Sequence, residues 1–117
     1  MQSESLKLDD ILKWTGGKLV HRVKDTFDFI GTDSRAELKE KLFIPLRGDA
    51  FDGHHFIKMA IEKQCSGVIF DMKAKGPVPF DRSAVTLIQV DDTLKALQDI
   101  SHGYRKKLNK TIVAITG

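Results

Sequence analysis

The chain has 117 residues and a formal net charge of +3, with 41% hydrophobic and 30% charged side chains. A chain of this length forms one domain that buries roughly two thirds of its unfolded surface, and this composition is too apolar for a disordered protein. Its apolar runs are far shorter than the roughly 20 residues of a membrane span and its polar start is unlike a signal peptide, so we expect a cytoplasmic protein.

The first half predicts one helix and three strands. Residues 8–17 carry apolar side chains at helical spacing and end on two glycines, which predicts a short helix with a left-handed end. Residues 18–23 and 28–33 alternate well enough to predict two strands, joined as a hairpin or within a meander. The run LFIPL at 42–46 predicts a strand at a sheet edge or beside a bulge, unless the amide side of its proline faces no partner, because proline has no backbone N–H to donate.

The second half alternates strands and helices. Patterning predicts a helix over 54–64, a strand over 66–71, a loop over 72–84 and a strand over 85–90. Such alternation favours right-handed crossovers onto parallel strands, to which the opening segments can add antiparallel ones. The predicted fold class is therefore α/β, a single small domain over 1–117 with a mixed, largely parallel sheet flanked by helices.

The last two predicted elements are a long helix and a strand. The segment 91–109 begins with a capping aspartate, and TIVAITG at 111–117 has the apolar and β-branched residues of a buried strand. The predicted buried face of the helix carries Leu94, Leu97, Ile100, Tyr104 and Leu108.

Several ligand classes are disfavoured. The single cysteine, Cys65, fits a reducing compartment, and we expect it to be packed near a helix end rather than nucleophilic. The basic cluster at 104–110 lacks the interleaved aromatic residues that stack bases, so no nucleic-acid partner is expected. His54 and His55 are adjacent and point apart, and no further ligand spacing completes a metal site.

Two loops that follow predicted strands carry polar side chains. The first is TDSR at 32–35, in which Ser34 offers a hydroxyl and Arg35 a planar set of donors suited to phosphate or carboxylate. Ligands of α/β folds gather beyond the carboxyl ends of strands, which favours a binding site here. Arg35 could equally form a simple ion pair with Asp33 or Asp52, and residue types alone leave this open.

The second loop is RGDAFDGHH at 47–55. Gly48 and Gly53 allow the backbone to approach a ligand closely, and the amides that open the following helix would present unpaired donors to an anion or a base edge. His54 could instead act only as a helix cap, and this alternative also remains open.

The motifs DSR, LFIPLRGDAFDGHHF, VDDTLKAL and ITG, in this order, resemble the N-terminal domain of the Mur ligase family across nearly the whole chain. That family consists of ATP-dependent enzymes that add amino acids to UDP-N-acetylmuramic acid in peptidoglycan synthesis. The resemblance is closest to members that join D-Ala-D-Ala to UDP-N-acetylmuramoyl tripeptide. Members that form the tripeptide, or a protein-interaction module with no small-molecule site, are the alternatives.

The resemblance implies that residues 1–117 form the domain that binds the UDP end of the substrate. It implies no catalytic residue, no metal site and no cofactor within this domain. The UDP contacts it implies are Ser34, Arg35, Arg47, Gly48, Asp52, Gly53 and His54.

The resemblance also implies a role for the last residues of the chain. In the family, ITG leads into the phosphate loop of a central ATPase domain, so Gly117 would be the first glycine of that loop. ATP and Mg²⁺ would bind to that domain in the full-length enzyme, and a third domain would bring the incoming dipeptide. We therefore expect the chain to be inactive alone, with UDP-N-acetylmuramoyl tripeptide and these two missing domains as its partners.

Two positions depart from the family pattern. Relatives usually carry glycine where this chain has Glu40, and again near Gln64 and Cys65. If these positions require positive φ, each non-glycine residue costs on the order of 1 kcal/mol.

Overall fold

The computed structural model describes the backbone of residues 5–48, 52–73 and 83–116 and the side chains of these ranges up to residue 108. The strands are β1 (Leu6–Lys7), β2 (Lys18–His21), β3 (Thr26–Phe27), β4 (Ile30–Gly31), β5 (Leu42–Phe43), β6 (Gly67–Phe70) and β7 (Thr86–Gln89). The helices are α1 (Leu8–Thr15), α2 (Ile57–Glu62) and α3 (Thr93–Thr116), and a 3-10 helix over Gly53–Phe56 directly precedes α2.

The main sheet has five strands in the order β2-β7-β6-β5-β4. Strands β4 to β7 pair in parallel, and β2 pairs antiparallel with β7 at one edge. Strands β1 and β3 form a separate antiparallel pair. This confirms the predicted α/β class with a mixed, largely parallel sheet, and it brings the loops after β4, β5, β6 and β7 to one edge, the carboxyl edge.

Both faces of this sheet are buried, which explains why its central strands are apolar throughout. Successive strand residues point to opposite faces, so Ile69 and Ile88 belong to one core cluster while Val68 and Leu87 belong to another. The first cluster includes residues of α1 and α3, and the second includes residues of α2. The helices therefore cover the sheet from two sides.

The start of α3 is capped as predicted, and its buried face is as predicted except at Leu94. The Asp92 carboxylate accepts the Leu94 backbone N–H at 2.9 Å. Leu94 itself is 51% exposed, so the predicted face is wrong at this position, whereas Ile100 is fully buried as expected. Thr93, Ala96 and Ile100 are buried, and Leu97 and Tyr104 are half-buried against the same core cluster.

The pairing of the two early strands differs from expectation, and the third predicted strand of the first half lies inside the sheet. Strand β2 pairs with β7 and β4 pairs with β5, so segments 18–23 and 28–33 lie at opposite edges and form no hairpin. Strand β5 lies inside the sheet, between β4 and β6, and not at an edge. Its ladder ends at Phe43, so the missing N–H of Pro45 falls beyond the paired residues and costs no ladder hydrogen bond.

The predicted final strand is wrong. The backbone of residues 111–116 continues α3 and joins no described strand of either sheet. A strand needs a neighbour for its N–H and C=O groups, whereas a helix pairs them internally, and this outweighs the local preference of β-branched residues. No helix in the described ranges, α3 included, is long and apolar enough to cross a bilayer.

Both positions at which the family pattern implies glycine adopt left-handed backbone. Glu40 has φ 64° and Gln64 has φ 67°, and the Glu40 N–H donates to the Gln64 carbonyl at 3.1 Å. Gln64 follows the C-cap of α2, where glycine is common for this reason.

Replacing Glu40 or Gln64 by glycine should therefore raise the free energy of unfolding, by about 0.5 to 1 kcal/mol each, because the strain of a side chain at positive φ is removed. Urea unfolding measures this. Lys39→Gly, at a position without positive φ, is the control and should lower stability. A loss of stability in both glycine variants would show that Glu40 and Gln64 are not strained.

Candidate functional site

The loop after β4 and the 3-10 helix that follows β5 enclose a cavity of about 520 Å³. Because β4 and β5 are adjacent and parallel, these two segments meet at the carboxyl edge of the sheet. The volume is in the range of sites for small organic ligands. The lining residues are Thr32, Asp33, Ser34, Arg35, Phe43, Leu46, Gly53, Phe56 and Met59.

The cavity has one apolar and one polar wall. Phe43 is fully buried and Leu46 is half-buried, while Phe56 and Met59 remain 37% and 42% exposed and extend the apolar wall towards the surface. Residues 32–35 form the polar wall. An apolar surface with an exposed phenyl ring opposite hydrogen-bonding groups suits a flat heteroaromatic ring, which stacks on one side and has polar edges.

The polar wall contains an available hydroxyl and a surface ion pair. Ser34 is 8% exposed, and its hydroxyl makes no hydrogen bond to any residue that the structure describes. Arg35 donates to Asp33 through Nε–Oδ1 at 3.2 Å and Nη2–Oδ2 at 3.3 Å, and hydrogen bonds from Arg35 hold the pKa of Asp33 below its usual value. Of the two ion-pair partners considered for Arg35, the structure shows Asp33 and not Asp52.

A polar network with a buried centre lies beside the cavity, at the ends of β5 and β6: the Asp71 and His54 side chains are buried, and the Arg47 side chain is 30% exposed. The fully buried Asp71 carboxylate accepts Arg47 Nη1 at 2.8 Å and also Arg47 Nη2. It further accepts the backbone N–H groups of Lys73 at 3.0 Å and Thr93 at 3.1 Å. Burial alone would raise the pKa of Asp71, but these hydrogen bonds outweigh it and lower the pKa to about 2. Asp71 therefore ties the loop after β5 to the start of α3.

His54 extends this network in one defined tautomer. The backbone N–H of Asp71 donates to His54 Nε2 at 3.1 Å, so this nitrogen is unprotonated and the ring proton lies on Nδ1. Nδ1 then donates to Asp52 Oδ1 at 2.7 Å, and Arg47 Nε donates to Asp52 Oδ2 at 3.1 Å. Burial raises the pKa of Asp52, but hydrogen bonds from His54 and the charge of Arg47 bring it below its usual value.

The amides at the start of the 3-10 helix are already paired, so the prediction of unpaired donors there is wrong. Gly53 N–H donates to the Leu46 carbonyl at 2.8 Å, His54 N–H to Asp52 Oδ1 at 2.9 Å and His55 N–H to the Asp52 carbonyl at 3.1 Å. Asp52 is the N-cap of this helix and takes up its donors. Gly53 contributes instead through the close approach of its backbone to the loop after β5.

The predicted site residues thus fall into two groups. Ser34, Arg35 and Gly53 line the cavity, whereas Arg47, Asp52 and His54 form the buried network with Asp71. Gly48 is exposed and lines no described cavity wall, and Gly117 lies outside the described residues.

Sequence reasoning missed Asp71 and misjudged Phe56. The available signal for Asp71 was an aspartate directly after an apolar strand, at the edge where ligand loops gather. Phe56 falls within the helix predicted over 54–64, but it lies on the 3-10 helix and lines the cavity.

Two further chemistries find no support in the described part of the chain. No three histidine, cysteine or acidic side chains there are grouped so that they could hold a metal ion. Cys65 is buried, and burial raises the pKa of its thiol to about 11, so it is a poor nucleophile at neutral pH.

Comparison with known proteins connects the chain to one family. The family model described as "Mur ligase family, catalytic domain" matches residues 26–105. UDP-N-acetylmuramoyl-tripeptide--D-alanyl-D-alanine ligase of Bacillus subtilis (strain 168) is 40% identical over 88 residues, 75% of this chain and 18% of that protein. The ligase of the same name from Treponema pallidum (strain Nichols) is 38% identical over 96 residues, 78% of this chain and 21% of that protein.

A second kind of ligase and a solved structure also match. UDP-N-acetylmuramyl-tripeptide synthetase 2 of Oceanobacillus iheyensis is 31% identical over 100 residues, 84% of this chain and 20% of that protein. A crystal structure of MurF from Acinetobacter baumannii has a TM-score of 0.74 and 22% identity, covering 89% of this chain and 22% of that chain. The chain thus spans about a fifth of the length of the relatives it matches.

Proposed function

The chain belongs to the Mur ligase family, and from this premise we propose that it is the N-terminal, UDP-substrate-binding domain of a ligase that joins D-alanyl-D-alanine to UDP-N-acetylmuramoyl tripeptide. The two relatives that carry this activity in their name support the choice of ligase, and the MurF structure supports the fold. The UDP moiety is the part of the substrate that we assign to residues 1–117.

The observation that carries the proposal is the two-walled cavity at the carboxyl edge. In our proposal the uracil ring stacks on Phe56, the Ser34 hydroxyl hydrogen-bonds near the base, and Arg35 at the mouth faces the diphosphate. Two observations support this assignment: the Ser34 hydroxyl has no described hydrogen-bond partner, and the Arg35 side chain is 87% exposed. Gly53 lines the cavity with its backbone.

Arg47, Asp52 and His54 have a different role in the proposal. Their polar groups are bonded to one another and to Asp71, so we assign them to holding the 3-10 helix as a wall of the cavity. The matching family model is described as a catalytic domain. We nevertheless assign no catalytic residue to this chain, because these polar groups are already bonded within the network. Gly48 remains a proposed backbone contact of the substrate.

The rest of the reaction is assigned to parts of a longer protein. ATP and Mg²⁺ would bind to a central domain and activate the carboxylate of the tripeptide, and a third domain would bind D-alanyl-D-alanine. The present chain would supply the position of the UDP-linked substrate and would form no peptide bond by itself.

A second candidate is the ligase that forms the tripeptide. The similarity to UDP-N-acetylmuramyl-tripeptide synthetase 2 favours it, although the identity is lower. Both ligases handle a UDP-N-acetylmuramoyl substrate, so the cavity has the same role in either case. An ATP-dependent ligation assay of the full-length protein, offering either D-alanyl-D-alanine or a diamino acid, separates the two.

Titration of the chain with UDP tests the proposed site. We expect amide chemical shifts to change at Ser34, Gly53 and Phe56, and Ser34→Ala to weaken UDP binding about five-fold, as for the loss of one hydrogen bond. Ser66→Ala is a matched control, since Ser66 is also 8% exposed but precedes β6 at the opposite edge of the sheet. It should leave UDP binding unchanged.

Two outcomes contradict the proposal. Shift changes confined to surfaces remote from the cavity would place the nucleotide elsewhere. No binding at several millimolar UDP would remove the small-molecule function and favour a protein-interaction module.

A further inference from the structure

Lys63 lies at the outer end of the cavity wall formed by α2. It is the C-cap residue of α2 and follows Met59, which lines the cavity, by four positions. Residues four apart share one face of a helix, so Lys63 continues the wall beyond Met59. Its ammonium group donates to the Ala36 carbonyl at 3.3 Å, directly after Arg35 in the chain. The Lys63 charge is therefore held beside the polar wall.

The charges at this rim leave a surplus of one positive charge. Asp33 and Arg35 neutralise each other, and the acceptor of Lys63 is an uncharged carbonyl. Lys63 makes no ion pair with a carboxylate among the described residues, and its positive charge contributes to the low pKa of Asp33. An ammonium group has three donors, so two can serve a ligand while one holds Ala36.

Arg47, another cation at this edge of the sheet, is already paired. It donates three N–H groups to the carboxylates of Asp52 and Asp71, which neutralise its charge. A negatively charged part of a ligand that extends out of the cavity along the polar wall therefore lies beside Arg35 and Lys63.

We propose that Lys63 binds the diphosphate of the nucleotide jointly with Arg35, and so makes the cavity select a nucleoside diphosphate over the bare nucleoside. This inference rests on the proposed UDP site and adds a residue that sequence patterns did not mark. The hydrogen bond to Ala36 positions the ammonium group, while the charge itself contributes to binding.

Calorimetric titration of the chain with uridine and with UDP, at low ionic strength, tests the role of Lys63. We expect Lys63→Met to weaken UDP binding about five-fold and to leave uridine binding unchanged, because only UDP carries the charges that an exposed cation attracts. Lys63→Arg should retain most of the UDP affinity. Lys58→Met is the control: Lys58 lies on the same helix but on another face, and its loss should change neither ligand.

The two ligands make the outcomes distinguishable. Equal weakening of uridine and UDP in Lys63→Met would show that Lys63 only braces the loop through Ala36, and unchanged UDP binding would show that it makes no contact. Either result overturns the inference while the proposed UDP site stands. A wild-type chain that binds neither uridine nor UDP overturns both.

Discussion

Replacing Asp71 by asparagine is expected to lower the free energy of unfolding by about 3 to 5 kcal/mol at pH 7, the usual cost of removing one partner from a buried ion pair. The Asp71 side chain is fully buried, and it is the shared acceptor for Arg47 and for the backbone of Lys73 and Thr93. An asparagine keeps the shape but leaves the Arg47 guanidinium without its bidentate carboxylate. Urea unfolding at constant temperature measures the loss.

The effect should also depend on pH in a defined direction. The pKa of Asp71 is lowered to about 2 in the folded protein, so its contribution is present above the ordinary carboxyl range and disappears as the pH falls through 2. The stability difference between wild type and Asp71→Asn should therefore narrow by about 2 kcal/mol between pH 4 and pH 2. Unfolding curves of both proteins over this interval test it.

An exposed ion pair that is also bidentate is the control. Arg22 Nε and Nη2 donate to the two carboxylate oxygens of Asp25 at 2.5 and 2.7 Å, but both side chains are more than half exposed. Asp25→Asn should cause no measurable loss, because water solvates the separated charges. If Asp71→Asn were as mild as Asp25→Asn, the buried network would not be what holds the carboxyl edge together.

Replacing Gly53 by alanine is expected to lower the free energy of unfolding by about 2 to 3 kcal/mol, as for overpacking against backbone. A Cβ at Gly53 would lie 2.7 Å from the carbonyl oxygen and 2.8 Å from the nitrogen of Leu46, and 3.1 Å from Pro45 Cα. These are backbone atoms and cannot rotate away. The loop after β5 must therefore move, which breaks the Gly53–Leu46 hydrogen bond and changes the cavity.

We expect the Gly53→Ala variant to lose UDP binding as well as stability. Gly16→Ala is a suitable control: Gly16 has φ 67°, but a Cβ there would meet no described atom within 4 Å, so only the conformational cost of about 1 kcal/mol applies. Unfolding and UDP titration of both variants test this. A Gly53→Ala protein that retained wild-type stability and UDP affinity would show that this close approach does not shape the site.

Short-range patterns in the sequence were sufficient to predict most elements. Apolar side chains at helical spacing predicted α1, and the apolar runs at 66–71 and 85–90 predicted β6 and β7. The order of strands and helices predicted a mostly parallel sheet, which placed the TDSR loop at the carboxyl edge. Ser34, Arg35 and Gly53 were predicted together and do line one cavity.

The pairing of strands and the hydrogen-bond partners of polar side chains could not be predicted from short-range patterns. The sequence predicted a final strand over 111–117 and a hairpin or meander of the two early strands, and both predictions are wrong because a strand needs a specific distant neighbour. The partners of Arg47 and His54 include Asp71, which is 24 and 17 positions away along the chain.

The sequence by itself determined the types of element, the α/β class and the two loops that meet at the site, since burial and backbone preference act on neighbouring residues. Only the tertiary structure decided that Ser34 faces the cavity while His54 is buried beside it. Hydrogen bonds such as His54–Asp52 and Arg47–Asp71 depend on distances set by the whole packed sheet. Residue type and spacing therefore identify a polar group near a site, and packing decides whether it meets a ligand or another side chain.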